Sequence, residues 1–309
     1  MPNSQAKYLI TVAGPTAVGK TELSIRLAQA LETEIISADS RQIFRELSIG
    51  TAKPNEQELN AAPHHFINSH SITESYSAGD FERDALSKLD ELFKSHNFVL
   101  MTGGSGLYVK AVCEGLDALP APLEGLREAL TMRLENEGLK VLQEEITAID
   151  PDFGATKEIH NPQRVVRALE VFKTTGIPIS QYQQKNIQQR PFRQILIALD
   201  RDRKELYERI DLRMDLMLKE GLVEEAKSVI QFRDCHALQT VGYKEVYAHL
   251  DGLYDEKEMI RLLKQNSRRY AKRQLTWFRH QGDFNWFRPD QFDEILNFIK
   301  TEAGLIQIL

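Results

Sequence analysis

The 309-residue chain has only two cysteines, Cys113 and Cys235. So sparse a pair excludes a disulfide framework and points to a reducing compartment. Long apolar runs are missing as well. The longest strand-like runs, such as Ile195-Leu196-Ile197-Ala198-Leu199, fall far short of the ~18 residues a membrane helix requires. Met1-Pro2-Asn3-Ser4-Gln5-Ala6-Lys7 runs straight into one short apolar segment, without a secretory core or cleavage pattern. With 17 glycines and 11 prolines, the chain is neither collagen-like nor of low complexity. These absences leave a soluble protein of the cytoplasm as the expectation.

What is present is ordinary globular usage, 42% hydrophobic and 27% charged. At roughly 150 residues per domain, the length suggests about two domains. The 39 Lys and Arg against 45 Asp and Glu give a net charge of −6, which on average disfavours a polyanionic partner. The distribution is uneven, however. Arg261, Lys264, Arg268, Arg269, Lys272, Arg273 and Arg279 share a stretch, 261–282, that holds no acidic residue. It reads equally as a polyanion footprint or as a solvated basic helix face.

The first third alternates short apolar runs with helical stripes. Strands are expected at 7–13, 34–38 and 97–101, with helices at 21–31 and 79–96, a pattern that favours a parallel sheet with right-handed crossovers. Leu119-Pro120-Ala121-Pro122 reads as a linker, and the patterns from there to about residue 190 are helical. The best-marked helix starts at Asn161, a good N-cap followed by Pro162, and stops at Gly176. Residues 195–199 return to strand, and everything from Asp202 onward is expected to be helical. The fold class is therefore α/β: a parallel-sheet core flanked by helices (1–116 and 191–309), interrupted by an all-helical insertion (117–190).

Gly14-Pro15-Thr16-Ala17-Val18-Gly19-Lys20-Thr21 matches G-x-x-x-x-G-K-[ST] between a predicted strand and a predicted helix, the context this motif demands. Such a loop wraps amide groups around a di- or triphosphate, with the helix dipole behind them. Lys20 then reaches the terminal phosphates, and the Thr21 hydroxyl is placed to ligate Mg²⁺. Asp39 follows the second strand, whose carboxyl end opens onto the same crevice; it can act as a base or cap its loop. Asp200 reads as a residue leaving a strand toward a helix. Gly103-Gly104-Ser105-Gly106 is a glycine turn after a third strand, without the carboxylate that a P-loop ATPase needs at such a position. Arg164 and Arg167 project from one helix face, toward an anion or into salt bridges. His64-His65 lacks a third ligand at a recognisable spacing and is a poor zinc site.

Several segments then fall in a telling order: Gly14–Thr21, Asp39-Ser40-Arg41-Gln42, Gly50-Thr51-Ala52-Lys53-Pro54, Pro63-His64-His65, Tyr76-Ser77-Ala78, Gly103–Tyr108, Asn161–Glu170, Val241-Gly242-Tyr243, and Tyr270-Ala271-Lys272-Arg273-Gln274 with Thr276-Trp277-Phe278-Arg279. Together they resemble the bacterial tRNA dimethylallyltransferases over nearly the whole chain. Ser105 stands where Thr is commoner in that family, Phe44 where Tyr is, and Asn68 where Asp is. The resemblance implies transfer of a dimethylallyl group from dimethylallyl diphosphate to N6 of the adenosine 3′ of the tRNA anticodon. It implies Asp39 and Ser105 as catalytic residues, the whole loop Gly14–Thr21 as the diphosphate site, and Mg²⁺ as cofactor. It implies contact with the anticodon stem-loop at Asp39, Ser40, Arg41, Gln42, Ser105, Arg127, Gln163, Arg164, Val165, Val166 and Arg167. A monomer is expected, and Trp277, Phe278 and Trp286 are expected in the core. The competing readings are a prenyltransferase for free adenine nucleotides and a P-loop kinase or NTPase.

Overall fold

A computed structural model describes residues 6–121, 123–183 and 187–305; Met1–Gln5 and Pro122, which enter the expectations above, lie outside them. The chain divides into two compact units, Met1–Glu114 with Gln189–Leu309, and Gly115–Gln188. Six strands, β1 (Tyr8–Ala13), β2 (Ile35–Ser37), β3 (His64–His65), β4 (Phe98–Gly103), β5 (Arg193–Leu199) and β6 (Asn285–Phe287), form one parallel sheet. Their spatial order is β3-β2-β4-β1-β5-β6. In chain order the α-helices are α1 (Lys20–Ala30), α2 (Glu56–Ala61), α3 (Ala78–Leu92), α4 (Gly106–Glu114), α5 (Leu126–Glu137), α6 (Leu139–Ile149) and α7 (Pro151–Gly154). They continue with α8 (Pro162–Thr175), α9 (Arg203–Glu220), α10 (Leu222–Ser228), α11 (Tyr243–Leu250), α12 (Glu256–His280) and α13 (Phe292–Glu302).

Strand alternation explains how the sheet is covered on both faces. Tyr8, Ile10 and Val12 point into one cluster with Leu23 and Leu27 of α1, Leu206 and Ile210 of α9, and Ile295 and Ile299 of α13. Leu9 and Ala13 point the other way, onto Phe81, Ala85 and Leu89 of α3 and Val109 and Val112 of α4. All six residues of β1 are buried, as a strand covered on both sides requires. Cys113 lies in this second layer beside Thr11, and burial pushes its thiol up to about 12, which keeps it an unreactive thiol at neutral pH. A third cluster joins Ile43, Phe44 and Leu47, just past β2, to Met214, Met217, Tyr243, Val246 and Leu263.

The second unit is built from α5 to α8 around Leu130, Leu142, Ile146, Phe153, Val165 and Leu169. Helix α8 begins where its sequence says it should. The Asn161 side chain accepts from the amides of Gln163 and Arg164, Pro162 occupies the first turn, and Gly176 closes the helix in the left-handed region.

Two strands escape the sequence reading. Everything after Asp202 was expected to be helical, yet Asn285–Phe287 pairs with Ile197–Leu199 as β6. Three residues carry no alternation to detect, and their strand state comes from long-range pairing. His64–His65 likewise becomes the edge strand β3 through pairing with Ile35 and Ile36. Among the described residues no helix is long and apolar enough to cross a membrane.

Candidate active site

The loop Gly14–Gly19 joins β1 to α1, so the amide-bearing start of the helix lies at the carboxyl end of the central strand. The Lys20 ammonium donates to the carbonyls of Gly14 (2.9 Å) and Pro15 (2.7 Å). Burial pushes its pKa down to about 8, Arg213 adds to that lowering, and Asp39 opposes it. The loop is held from outside. Arg209 Nε donates to the Ala17 carbonyl (2.9 Å), Arg201 Nε to that of Val18 (2.7 Å), and Arg213 Nη1 lies 3.4 Å from Thr16 Oγ1. Gln274 of α12 bridges two turns, accepting from the Thr16 amide and donating to the Gly104 carbonyl, both at 2.9 Å. Gly104 has to be glycine for this: a Cβ there would fall 2.3 Å from Gln274 Nε2.

A cavity of about 130 Å³ opens against this loop. Its polar wall includes Lys20, Thr21, Asp39, Arg41 and Arg213, and its apolar wall Ile210, Met214, Met217 and Val241. Lys20, Arg41 and Arg213 therefore surround a single carboxylate, Asp39, a balance suited to a polyanion with an apolar tail. Burial lowers the pKa of both arginines and the nearby Asp39 works against it. Tyr270 is also in the wall, its phenol pushed up to about 12 by burial and by Asp39.

Asp39 follows β2, and its Oδ1 accepts from the amides of Arg41 (2.9 Å) and Gln42 (3.4 Å). One oxygen thus caps the turn, and the same carboxylate lines the cavity, so the capping and base readings do not compete. Ser105, expected as a catalytic residue, is joined to the Asp39 loop. Its hydroxyl accepts from the Ser40 amide (2.9 Å) and donates to Ser40 Oγ (3.1 Å), tying the β4–α4 turn to the Asp39 loop. Ser105 thus sits one hydrogen bond from the loop that carries Asp39, at the same end of the sheet. Gln42 is similarly engaged: its carboxamide donates to the carbonyls of Thr51 (3.2 Å) and Ala52 (3.0 Å).

In the second unit, Glu170 is completely buried, and Arg127 meets it with two parallel hydrogen bonds at 2.8 and 2.6 Å. Arg167 pairs with the same carboxylate and donates to the Pro120 carbonyl at 3.1 Å. Gln163 and Arg164 are exposed in the first turn of α8. Val165 and Val166 are not surface residues: at 0% and 6% exposure they are core, which removes their side chains from the expected RNA contacts.

The basic stretch of α12 divides. Arg261, Lys264, Arg268 and Arg279 pair with Glu258, Asp215, Asp211 and Asp200, respectively. Arg269, Lys272 and Arg273 instead line a shallow surface depression with Trp277 and His280. Of the three aromatics expected in the core, Phe278 is buried, whereas Trp277 and Trp286 are half-buried. His65 pairs with Glu34 at 2.7 Å. Among the described residues no group of three His, Cys, Asp or Glu could hold a metal. Sequence reasoning missed Arg209 and Arg213; their four-residue spacing on one helix face was a signal, but nothing local says what that face meets.

Comparison with known proteins follows the same lines. The model of the family described as IPP transferase matches residues 42–281. A tRNA dimethylallyltransferase of Cytophaga hutchinsonii is 53% identical, with 96% of this chain and 97% of that protein aligned. One from Christiangramia forsetii is 47% identical over 97% and 99%. The crystal structure of the tRNA isopentenylpyrophosphate transferase of Bacillus halodurans superposes with a TM-score of 0.72 at 38% identity, covering 96% and 97% of the two chains. A eukaryotic dimethylallyltransferase seen acting on tRNA superposes with a TM-score of 0.79 at 25% identity, over 98% of this chain and 81% of that one.

Proposed function

The chain belongs to the IPP transferase family, and from that premise we propose that it transfers a dimethylallyl group from dimethylallyl diphosphate to N6 of the adenosine 3′-adjacent to the anticodon in tRNA, releasing diphosphate. The observation that carries this reading is one cavity in which the Lys20–Thr21 end of a phosphate-binding loop and the Asp39 carboxylate share a wall. A kinase would have to pass a phosphoryl group; here the diphosphate is the leaving group, and the loop needs no ATP. The exocyclic amine of adenine is a weak nucleophile because its lone pair is delocalised into the ring. The N6–C1 bond forms as the C1–O bond to diphosphate breaks, and the N6 proton passes to the Asp39 carboxylate, a contribution of about 10²–10⁴-fold. Lys20, Arg213 and the loop amides stabilise the charge that collects on the departing diphosphate.

Thr21 lines the cavity beside Lys20 and fits Mg²⁺ in the way that ion is usually held, by one protein oxygen, substrate phosphates and water. Bound there, Mg²⁺ would neutralise diphosphate charge. The apolar wall at Ile210, Met214 and Met217 excludes water from an allylic carbon that carries positive character. The target base is normally stacked in its loop and must be turned out to reach this cavity. Arg127, Gln163, Arg164 and Arg167 are proposed to hold the anticodon stem-loop. The enzyme is proposed to work as a cytoplasmic monomer.

The test mixes protein, dimethylallyl diphosphate and Mg²⁺ with either unmodified tRNA or AMP, followed by nucleoside mass spectrometry. Dimethylallyl adenosine from tRNA alone is expected. Product from AMP, or ATP turnover without tRNA, would refute the assignment.

A further inference from the structure

The loop 48–54 forms one wall of the cavity through Gly50, Thr51, Ala52 and Pro54, yet it belongs to no regular element. Its own turn bonds, from the Ala52 amide to the Ile49 carbonyl (3.0 Å) and from the Lys53 amide to the Ser48 carbonyl (3.2 Å), are joined by one carboxylate from a distant segment. Glu225, on the short helix α10, accepts from three successive amides: Ser48 (2.7 Å) and Ile49 (2.8 Å) on Oε2, and Gly50 (2.8 Å) on Oε1. Tyr243 adds a fourth bond, its hydroxyl donating to Oε1 at 2.6 Å. The Tyr243 ring presses so closely on Gly50 that a Cβ there would lie 2.6 Å from Cζ. Two distant parts of the chain, residues 48–50 and Tyr243, are thereby tied to one carboxylate.

The lock reaches the reacting groups in two further steps. Beyond the amides Glu225 holds, the carbonyls of Thr51 and Ala52 receive the Gln42 carboxamide, and the Gln42 backbone amide donates to Asp39. We infer that Glu225 is a positioning residue for the Asp39 loop: it fixes loop 48–52, which fixes Gln42, which fixes the turn that aims Asp39 and Arg41 into the cavity. A carboxylate suits this task because it accepts at both oxygens, whereas a glutamine would turn an N–H donor toward amides or hydroxyl that already donate. The inference rests on the transfer reaction proposed above, in which Asp39 takes the proton.

A double-mutant cycle tests it. Glu225→Gln and Gln42→Ala are each expected to lower kcat at saturating substrates roughly 10- to 100-fold, since small misplacements of reacting groups cost that much. Because both act on the same loop, the double variant should be little worse than the worse single one. Pyrophosphate affinity, which reports the phosphate loop, should stay within about 3-fold of the parent. Tyr243→Phe removes one bond of the four and is expected to lower kcat only a few-fold, so a gentle variant remains if Glu225→Gln folds poorly. Amide hydrogen exchange gives a readout that needs no turnover: Arg41 and Gln42 should exchange faster in Tyr243→Phe and faster still in Glu225→Gln. Multiplicative kinetic losses, or protection at residues 41–42 that stays at the parent level, would overturn the inference. Inactivity of the parent enzyme toward tRNA would instead strike at the proposed reaction, leaving the exchange result to decide the positioning role.

Discussion

Replacing Lys20 by Met should change how stability responds to pH. The Lys20 ammonium is desolvated against its own loop, and burial brings its pKa from 10.5 to about 8. Between those values the unfolded chain holds a proton that the folded chain has released, so stability rises with pH across that window. Below about pH 8 both states are protonated, and the folded state carries the full cost of the buried charge. Applied to this shift, linkage gives a gain of about 2 kcal/mol for the parent between pH 7 and pH 9.5 that Lys20→Met lacks. Lys53, whose pKa burial also lowers to about 8, is present in both proteins and cancels in the comparison. The assay is denaturant unfolding of both proteins at the two pH values, with the midpoint slopes checked for equality. The absolute offset is less informative, because Met also leaves the Gly14 and Pro15 carbonyls without their donor. Parallel pH profiles for parent and variant would refute the reasoning, since they would mean the ammonium is as well solvated folded as unfolded.

Three other outcomes follow from the same geometry. Gly104→Ala drives a methyl into Gln274 and should destabilise by about 1–3 kcal/mol, lowering turnover as the Thr16 amide loses its partner; unchanged Tm and kcat would show that Gln274 moves freely. Val165→Ala opens the core of the helical unit and should cost about 1–3 kcal/mol in a denaturant titration, an expectation that a neutral result would contradict. Arg164→Ala, on the exposed first turn of α8, should leave stability within about 0.5 kcal/mol. It should also flatten the salt dependence of tRNA affinity by about one unit of slope, and a slope equal to the parent's would remove Arg164 from the phosphate contacts.

The residues that announce this protein in its sequence are those whose chemistry is local. A glycine loop between a strand and a helix, an N-cap followed by proline, and an aspartate leaving a strand each act within a few residues of themselves, so Gly14–Thr21, Asn161–Pro162 and Asp39 could be read directly. What resisted reading depends on contacts between distant segments. Strand β6 exists because Asn285–Phe287 meets β5, and nothing in its own three residues requires it. The Ser105 hydroxyl meets Ser40, a partner set by the apposition of two turns. Val165 and Val166 were expected among the tRNA contacts, and only the helix phase assigns their side chains to the interior. The Arg209, Arg213 and Gln274 contacts with the phosphate loop span 192, 197 and 258 residues of sequence. No periodicity reports such distances.

The most direct test separates binding of the prenyl donor from its use. Asp39→Asn keeps an oxygen for the Arg41 and Gln42 amides but is no longer a base; Asp39→Ala removes both. Dimethylallyl diphosphate affinity with Mg²⁺, measured by calorimetry, should match or exceed the parent's in both variants, because a like charge leaves the cavity. Single-turnover transfer to tRNA should fall by about 10²–10⁴-fold in both. Transfer at the parent rate in Asp39→Asn, or loss of donor binding in step with turnover, would contradict the assignment of Asp39 as the acceptor of the amine proton.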